Sequence, residues 1–429
     1  MRLPTPPVDR SEDRSAVVAW VREHLGHLSG DEVRASRVRG GQTAADTALA
    51  MLDLTGYANR RSNVLPESSR GASRLSPYIR HGLLTLPAVW EAAGGAPFRD
   101  RQKFRDELMW QEYSRHVYAR VGKANGAPLR FDAPVPSPGS PPPTAPVSTG
   151  DPWPQQMACM AATTAELHDD GWLVNQTRMW LASQWAVRAG ADWRTGEDEM
   201  YRNLLDGSRA ANRLGWQWAI GTGTGRVYGF SRWQVEKRAP ELCAGCALRN
   251  ACPVQDWPEA QSGPKVDGPD SLGGGPTDAG PEDPVVTGDP EAVWLTAESL
   301  GDADPALSAH PDLPAVFVFD EPLLRGLQLS GKRLVFLAEA LAEIAERSTG
   351  GELEVHLGDP VTELTGRRLA ATWAYVPGFK RRSAQLDVVA LHPWPWLRRP
   401  GSGSLRSFSA WAGRPSSPRP AQKSGGRRR

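Results

Sequence analysis

An acidic stretch poor in large apolar residues, from 259 to 290, divides this 429-residue chain into two parts of different periodicity. Gly, Pro, Ser, Thr and Asp dominate the stretch, a composition typical of a flexible linker. Upstream, apolar residues recur every three or four positions, which predicts helices over 16–28, 42–54, 105–121, 157–167, 173–188 and 197–205. Nine prolines between Pro134 and Pro154 predict a long loop inside this helical part.

Downstream of the stretch, short apolar runs alternate with helical periodicity. Strands are predicted over 292–296, 315–319, 353–357, 372–376 and 388–391, and an amphipathic helix over Arg333–Arg347. Such alternation predicts a doubly wound α/β sheet of parallel strands. We therefore expect a helical domain over 1–258, a flexible acidic linker over 259–290, a smaller α/β domain over 291–395 and a basic, disordered tail over 396–429.

The charge is unevenly distributed along the chain. The net charge is +1 overall, but residues 1–250 carry +5, residues 251–291 carry −8, residues 292–395 carry −5 and residues 396–429 carry +9. Basic ends predict an anionic partner, with a merely solubilising tail as the alternative. No run approaches the ~20 apolar residues of a membrane span. The first residues lack the apolar core of a signal peptide, so we expect a cytoplasmic protein without membrane contact.

Three segments of the helical part combine residue types suited to a flat, phosphate-bearing ligand. The segment 71–80 (GASRLSPYIR) offers hydroxyls and a guanidinium for a pyrophosphate. The segment 206–224 (DGSRAANRLGWQWAIGTGT) sets small residues beside indoles, where a ring system fits. Glu107 and Trp110 share one helix face, where a carboxylate and an indole could grip an unstacked base. A packed aromatic core and an ion-paired surface helix, with Glu107 bound to Arg105 or Arg115, are the alternatives.

In that chain order SRLSPY, ELMWQEYSRH and the 206–224 segment resemble the FAD-binding helical domain of the cryptochrome/photolyase family, over about residues 40–258. The resemblance implies that FAD is held by Tyr57, Ser73, Arg74, Leu75, Ser76, Asn175, Arg178, Asp206, Gly207 and Asn212. It implies catalytic roles at a flipped pyrimidine dimer for Glu107, Trp110, Asn175 and Met179, with Asn212 facing the reactive edge of the flavin. It also implies electron transfer through Trp216 and Trp193, with Trp218 packed near the flavin.

The chain departs from the family pattern on the face that would meet DNA. Gln111 replaces a usual basic residue, and Val174 and Gln176 replace the outer members of an HNR-like triplet around Asn175. The missing histidines argue against the (6-4) photoproduct branch of the family. Ser208 stands where a second acidic residue is usual. The resemblance therefore implies an intact flavin site beside a DNA-contacting face with fewer polar contacts.

The cysteines predict a metal site. Cys243, Cys246 and Cys252 form a C-x2-C-x5-C pattern followed by Pro253, and Cys159 lies on an earlier helix. Four cysteines in a chain of this length are too few for a disulfide scaffold. A [4Fe–4S] cluster is the main interpretation, with a zinc tetrathiolate or unligated thiols as alternatives. The arrangement resembles the iron–sulfur bacterial branch of the photolyase family, which implies that these four cysteines are the ligands.

The C-terminal part resembles the α/β domain that normally precedes the FAD domain in this family, through segments such as AVFVFDEPLLRG and LEVHLGDPVTEL. The resemblance implies a circularly permuted protein; an unrelated flavodoxin-like domain is the alternative. Thr296–Leu300 stand where the family has an RDLR-like segment, which leaves an antenna chromophore in doubt.

Taken together, the resemblance implies a monomeric deoxyribodipyrimidine photo-lyase that binds damaged DNA and splits cyclobutane dimers by electron transfer from reduced FAD. A cryptochrome-like blue-light or redox sensor that acts through a protein partner is the alternative function. A third interpretation is a nucleic-acid-binding protein in which the cluster has a structural role.

Overall fold

The computed structural model describes residues 1–136, 151–258, 260–276, 278–347 and 352–413. Residues 137–150 of the predicted loop and 414–429 of the predicted tail therefore lie outside the described residues. In the helical part the helices are α1 Ser15–Leu25, α2 Gln42–Ala50, α3 Tyr57–Arg60, α4 Ser76–Arg80, α5 Leu86–Ala92, α6 Phe98–Val121, α7 Ala158–Asp169, α8 Asn175–Ala182, α9 Trp193–Asn203, α10 Ala211–Ala219, α11 Arg232–Arg238 and α12 Pro240–Ala244.

The helices predicted from periodicity are confirmed, with changed ends. The predicted helix over 105–121 begins earlier, at Phe98, as α6. Pro97 is the N-cap residue of this helix. The predicted helix over 173–188 begins at Asn175 and continues after α8 as a π-helix over Ser183–Arg188. Asp192 caps the next helix, α9, by accepting hydrogen bonds from the backbone N–H groups of Arg194 and Thr195.

The remaining elements build the α/β part and its edges. The strands are β1 Arg2–Leu3, β2 Val135–Pro136, β3 Ala260–Gln261, β4 Val285–Val286, β5 Ala292–Leu295, β6 Ala315–Asp320, β7 Leu353–Gly358, β8 Arg368–Thr372 and β9 Asp387–His392. The helices are α13 Pro305–Ala309, α14 Glu321–Leu327, α15 Gly331–Arg347, α16 Pro360–Leu364, α17 Pro377–Ser383 and α18 Phe408–Ala412.

The large sheet has the strand order β1-β7-β6-β5-β8-β9-β4. Its five central strands are parallel, with Val293 opposite Ala315 and Val316 opposite Glu354. β1 and β4 close the two edges in antiparallel pairing. This is the strand order of a doubly wound sheet, as the alternating pattern predicted. Strands β6 and β7 are added on one side of β5, and strands β8 and β9 on the other.

One predicted strand is wrong. The run 372–376 was expected to form a strand, but β8 ends at Thr372. The Trp373 N–H still donates to the His392 carbonyl of β9 at 2.8 Å, and the rings of Trp373 and Tyr375 are buried against Trp396 and Trp394. An apolar run that is buried by side chains alone looks the same in sequence as a buried strand.

The two parts of the chain share one hydrophobic core. Val17 and Trp20 of α1 pack in the same core as Leu334 and Phe336 of α15 and the apolar strand residues beneath them. The first residues of the chain join the sheet directly, since Leu3 pairs with Val355. The first residues of the predicted helical part therefore add a strand to the α/β sheet.

Parts of the segments expected to be a flexible linker and a disordered tail pack against the protein. Leu272 and Ala279 are buried in the first segment, and Leu405 and Trp411 in the second. The two segments also bind each other, because the Leu405 N–H donates to the Leu272 carbonyl at 2.8 Å. These few apolar residues, spaced among Gly, Pro and Ser, fix parts of two segments that composition alone predicts to be flexible or disordered.

None of the helices in the described ranges is both long and apolar enough to cross a bilayer.

The buried ion pair between Arg80 and Glu298 yields a stability prediction. Arg80 Nη2 lies 2.9 Å from Glu298 Oε1, and both side chains are about one-tenth exposed. Glu298→Gln leaves the guanidinium buried beside a neutral group, so we expect a loss of about 3–5 kcal/mol of unfolding free energy. Denaturant unfolding measures this loss. The matched control is Glu291→Gln, which removes an exposed pair with Arg368 and is expected to leave the unfolding midpoint in place. Equal midpoints for both variants would contradict the prediction.

Candidate functional site

The loop before α4 turns the SRLS segment toward Trp172. Arg74 has a left-handed backbone conformation, with φ of 58°, and its guanidinium carbon lies 5.1 Å from the centre of the Trp172 ring. The Trp172 indole N–H donates to Ser76 Oγ at 3.1 Å. Leu75 is buried and Ser73 is half-buried on the same loop. The segment therefore places the Arg74 guanidinium and the Ser76 hydroxyl next to the buried Trp172 ring.

A buried ion pair lies beside this loop. Arg178 of α8 binds Asp206 through two hydrogen bonds, at 3.2 Å to Oδ1 and 2.8 Å to Oδ2. Burial by itself raises the pKa of Asp206, but Arg178, the Ser76 hydroxyl and Arg333 outweigh it, and the pKa lies below its usual value. The carboxylate is therefore charged and fixed in orientation. These contacts bring together Ser76, Arg178 and Asp206.

The other candidate flavin-site residues lie on one face of α8 and at the start of α10. Asn175, Arg178 and Met179 are spaced so that they share one side of α8. Asn212 of α10 is buried, and its Nδ2 has no hydrogen-bond partner among the described residues. A buried amide donor without a partner is costly and indicates a bound group that accepts from it. The flavin edge expected there would supply such an acceptor, so the residues fit FAD.

The remaining expected flavin ligands have structural contacts of their own. Tyr57 is buried at the start of α3 with its ring edge-on to Phe104, at 5.2 Å between ring centres. The Gly207 carbonyl accepts hydrogen bonds from Arg80 and Arg333. A side chain at position 207 would place its Cβ 2.5 Å from Arg333 Nη1, so only glycine fits.

The expected electron-transfer tryptophans lie in and beside one core cluster. Trp216 is buried and its indole N–H points at Met200 Sδ, 3.4 Å away. Trp193 is buried at the start of α9. Trp218 is 41 % exposed and packs against Tyr228, with ring centres 5.6 Å apart.

Glu107 and Trp110 lie on α6 with partners that the sequence did not identify. Glu107 Oε1 is 2.7 Å from Lys103 Nζ and 3.3 Å from Arg61 Nε, rather than bound to Arg105 or Arg115. The Trp110 ring stacks on Phe408 of α18, with ring centres 4.0 Å apart and planes 12° apart. Part of the Trp110 surface, 38 %, stays exposed.

The four cysteines line one cavity between α7 and the α11–α12 region. Its walls are formed by Met157, Cys159, Arg232, Val235, Leu242, Cys243, Cys246, Leu248, Arg249, Cys252, Pro253 and Val254. The thiols are free. Burial, followed by the other three thiols, raises the pKa of Cys159 to about 12. Within the described ranges, no group of three or more His, Cys, Asp or Glu side chains is arranged to hold a metal ion.

Sequence reasoning missed several residues that shape these sites. Trp172 lies just before α8 in the sequence, but its contact with the Arg74 loop depends on the fold. Arg333 and Phe408 reach the site from the other part of the chain, and no local motif marks them.

Comparison with known proteins finds similarity to photolyases over part of this chain. Residues 149–240 match the family described as the FAD binding domain of DNA photolyase. The deoxyribodipyrimidine photo-lyase of Thermus thermophilus is 33% identical over 186 residues, 39% of this chain and 39% of that protein. The Synechococcus enzyme of the same name is 26% identical over 245 residues, 51% of this chain and 48% of that protein. These matches show that part of this chain is similar to photolyases.

The matched chain spans half or less of these photolyases. A solved class III photolyase from Agrobacterium tumefaciens is 24% identical, with a TM-score of 0.39, and the alignment covers 47% of this chain and 43% of that one. The segment that matches the FAD-binding domain of photolyases includes Arg178, Asp206 and Asn212.

Asp206→Asn tests the flavin site. Loss of the carboxylate charge leaves the buried Arg178 guanidinium without a counter-charge, so we expect FAD affinity to fall about tenfold or more. The measurement is a titration of the flavin-free protein with FAD, followed by flavin fluorescence. Asp302→Asn removes an exposed pair with Arg347 and is the control with unchanged affinity. Unchanged affinity in Asp206→Asn would remove this pair from the flavin site.

Proposed function

We propose that this protein is a photolyase-like flavoprotein that repairs cyclobutane pyrimidine dimers in DNA by light-driven electron transfer from reduced FAD. The observation that carries the proposal is the buried Arg178–Asp206 pair next to the unpartnered amide of Asn212, inside a segment matching the photolyase FAD-binding domain. FAD when bound supplies light absorption and the transferable electron. The protein supplies binding, orientation and a water-free pocket.

Each part of the pocket has a distinct role in this proposal. Ser73, Arg74 and Ser76 would bind the FAD phosphates and ribityl chain, because they offer hydroxyl donors and a cation on one loop. Tyr57 and Leu75 would form an apolar wall. The fixed Arg178–Asp206 pair would hold charge beside the ring system, with Gly207 and Asn175 next to it. The Asn212 amide would donate to the reactive edge of the flavin.

The lesion would be held by Glu107, Trp110, Asn175 and Met179. A carboxylate that already binds Lys103 and Arg61 accepts hydrogen bonds, so Glu107 would accept from an N–H on the Watson–Crick edge of a flipped pyrimidine. The exposed part of the Trp110 indole and the Met179 side chain would pack against the bases.

We propose that the chain is circularly permuted relative to other photolyases. The support is the order of its parts: the matched FAD-binding segment ends at residue 240, and the five parallel strands begin at residue 292. Thr296–Leu300 supply Glu298 to the ion pair with Arg80, and we propose no antenna chromophore at this segment.

We propose a [4Fe–4S] cluster in the cysteine cavity. Four free thiols around one cavity are a donor set that suits iron–sulfur ligation. The raised pKa of Cys159 means that its thiolate needs a positive group to be stable, and iron supplies one. A single zinc ion remains the alternative metal.

Damaged DNA is the proposed partner, bound by a monomer in the cytoplasm. Phosphates would meet the basic residues of the first part of the chain and of the basic tail. Binding should then weaken with salt, by about 0.9 log units per log unit of salt for each phosphate contacted.

A cryptochrome-like sensor that acts through a protein partner is the second candidate function. The observation that favours it is the stack of Phe408 on Trp110, which occupies one face of the indole expected to meet a flipped base. Gln111, Val174 and Gln176 point the same way, because they remove polar groups expected to contact DNA.

The deciding experiment is light-dependent loss of dimers from an oligonucleotide, with photoreduced protein and a dark control. Wild-type protein should remove dimers only under blue light. Glu107→Ala should lower the repair rate about tenfold, the value of one hydrogen bond to a charged group, with flavin content unchanged. Glu91→Ala, an exposed glutamate on α5, is the control with unchanged repair. Intact dimers with a normally photoreducing flavin would replace repair by the sensor function.

Cys159→Ser tests the cluster. The serine hydroxyl is a poor iron ligand, so we expect loss of iron and of acid-labile sulfide from protein purified without oxygen. Met157→Leu changes the cavity wall without removing a thiol and should keep both. Zinc in place of iron in the wild-type protein would support the tetrathiolate alternative, and unchanged iron in Cys159→Ser would exclude this residue as a ligand.

A further inference from the structure

Three aromatic side chains, Trp218, Tyr228 and Trp257, form a continuous aromatic strip at the surface of the helical part. The centres of the Trp218 and Tyr228 rings are 5.6 Å apart, and Tyr228 meets Trp257 edge-on with ring centres 6.1 Å apart. Trp218 is 41 % exposed, Trp257 is 54 % exposed, and Tyr228 between them is half-buried. Large rings that stay exposed side by side mark a surface that binds a partner.

The backbone on both sides of Trp257 is fixed, so the fold itself holds this ring at the surface. On one side, the Asp256 carbonyl accepts a hydrogen bond from Arg188 Nη2 at 2.5 Å. On the other side, Pro258 packs closely on Gly229. A Cβ added at Gly229 would lie 2.1 Å from Pro258 Cδ and 2.8 Å from Trp257 Cε3, so only glycine allows the ring to take this position.

The aromatic strip is joined to the helix that carries part of the proposed lesion site. Gln176 of α8 donates from its Nε2 to the Tyr228 hydroxyl oxygen at 2.7 Å. Asn175, the residue before Gln176, is exposed and belongs to the set proposed to hold the lesion. A strand whose damaged bases lie at Asn175 can therefore place neighbouring nucleotides on the strip.

The chain that carries the aromatic strip is basic. Residues 219–256 contain five basic residues, Arg226, Arg232, Lys237, Arg238 and Arg249, and three acidic residues, Glu236, Glu241 and Asp256, which gives a net charge of +2. Arg226 is exposed two residues before Tyr228. Burial raises the pKa of Tyr228, and the nearby Arg238 charge opposes this rise, so the phenol is neutral near pH 7. Cations beside exposed rings match a partner that carries both flat apolar groups and negative charge.

An unpaired nucleic-acid strand has this combination of groups. Bases that have left their stack offer a flat face to an aromatic side chain, whatever their identity, and the phosphates between them are negatively charged. In a duplex the faces of each base are covered by its neighbours, so an indole at the surface has no face to stack on. The strip therefore favours unpaired strands over perfect duplex.

We propose that the aromatic strip binds unpaired nucleotides beside the lesion, with Trp257 as its outermost stacking residue, and that the substrate is damaged DNA that is single-stranded or locally unpaired. This inference rests on the proposed function, which makes damaged DNA the partner. Stacking on the strip would supply affinity on a face where Gln176 binds Tyr228 and carries no charge for a phosphate.

The test measures binding of labelled, undamaged oligonucleotides in the dark by fluorescence anisotropy. One sequence is used as a single strand, as a perfect duplex and as a duplex with an unpaired bubble. Wild-type protein should bind the single strand and the bubble about tenfold or more tightly than the duplex. Trp257→Ala should weaken binding of both unpaired forms about tenfold, the effect of one lost base stack, and leave duplex binding unchanged. Trp257→Phe should restore most of the affinity, because a phenyl ring still stacks.

The salt dependence separates stacking from charge and from a merely structural effect. Trp257→Ala should keep the wild-type slope of log affinity against log salt, since no phosphate contact is removed. Arg226→Gln should lower the magnitude of this slope for the single strand by about 0.7. Phe98→Ala, which removes another exposed ring, at the start of α6, is the control with unchanged binding of every form. The unfolding midpoint is measured for each variant, so that only folded protein is compared.

The outcomes distinguish this inference from the proposed function. Equal wild-type affinity for single strand and duplex, or an equal loss of both in Trp257→Ala, would overturn the role of the strip while light-dependent repair could still be observed. Wild-type protein that binds none of the DNA forms would overturn both the strip and the DNA partner, and the exposed rings would then be assigned to a protein partner. Wild-type protein without FAD would overturn the proposed repair alone, because these binding measurements are made in the dark.

Discussion

The Gly207 carbonyl fastens the candidate flavin site to the α/β part of the protein. It accepts hydrogen bonds from Arg80 Nε at 2.9 Å and from Arg333 Nη2 at 3.1 Å. Arg333 belongs to α15, and burial lowers its pKa to about 10. Because Asp206 immediately precedes Gly207, the position of the flavin-site carboxylate depends on a helix far away in sequence. These hydrogen bonds run between side chains and a backbone carbonyl that lie far apart in sequence. They therefore do not depend on whether the helical part or the α/β part comes first in the chain.

Arg188, the last residue of the π-helix Ser183–Arg188, links that helix to the wall of the cysteine cavity. Arg188 ends the π-helix that carries Trp185, and its guanidinium donates to the carbonyls of Phe230, Pro253 and Asp256. Pro253 follows the ligand candidate Cys252, so the Arg188 side chain links the cavity wall to the π-helix. Burial lowers the pKa of Arg188 to about 10, although the nearby thiols of Cys252 and Cys159 oppose this shift. A negatively charged cluster in the cavity would give this buried cation a counter-charge.

The sequence predicted those features that depend on local periodicity or on contiguous motifs. The amphipathic helix α15 and the parallel strands follow from spacing. The resemblance placed Arg178 and Asp206 in one expected flavin site, and in the fold the two side chains form an ion pair. What could not be predicted depends on contacts across the two parts. β1 adds to the sheet from the opposite end of the chain, and the strand expected over 372–376 is a run buried by aromatic packing. Within the described residues, Leu405 and Trp411 are buried although Gly and Ser residues are frequent around them, because a few apolar side chains can hold such a segment where they find a surface to pack on.

The ordered C-terminal segment bears on the choice between repair and sensing. Phe408 stacks on Trp110, and Trp411 of the same short helix donates its indole N–H to His116 at 2.8 Å. Burial lowers the pKa of His116 to about 4, so the ring is neutral near pH 7 and its Nδ1 can accept this bond. A flipped base can use the exposed part of Trp110 beside Phe408, or it can replace Phe408 and so detach α18 from α6. Repair is compatible with the first arrangement, whereas the second would couple the occupation of this face to movement of the C-terminal segment, which is the type of change that a sensor transmits to a partner.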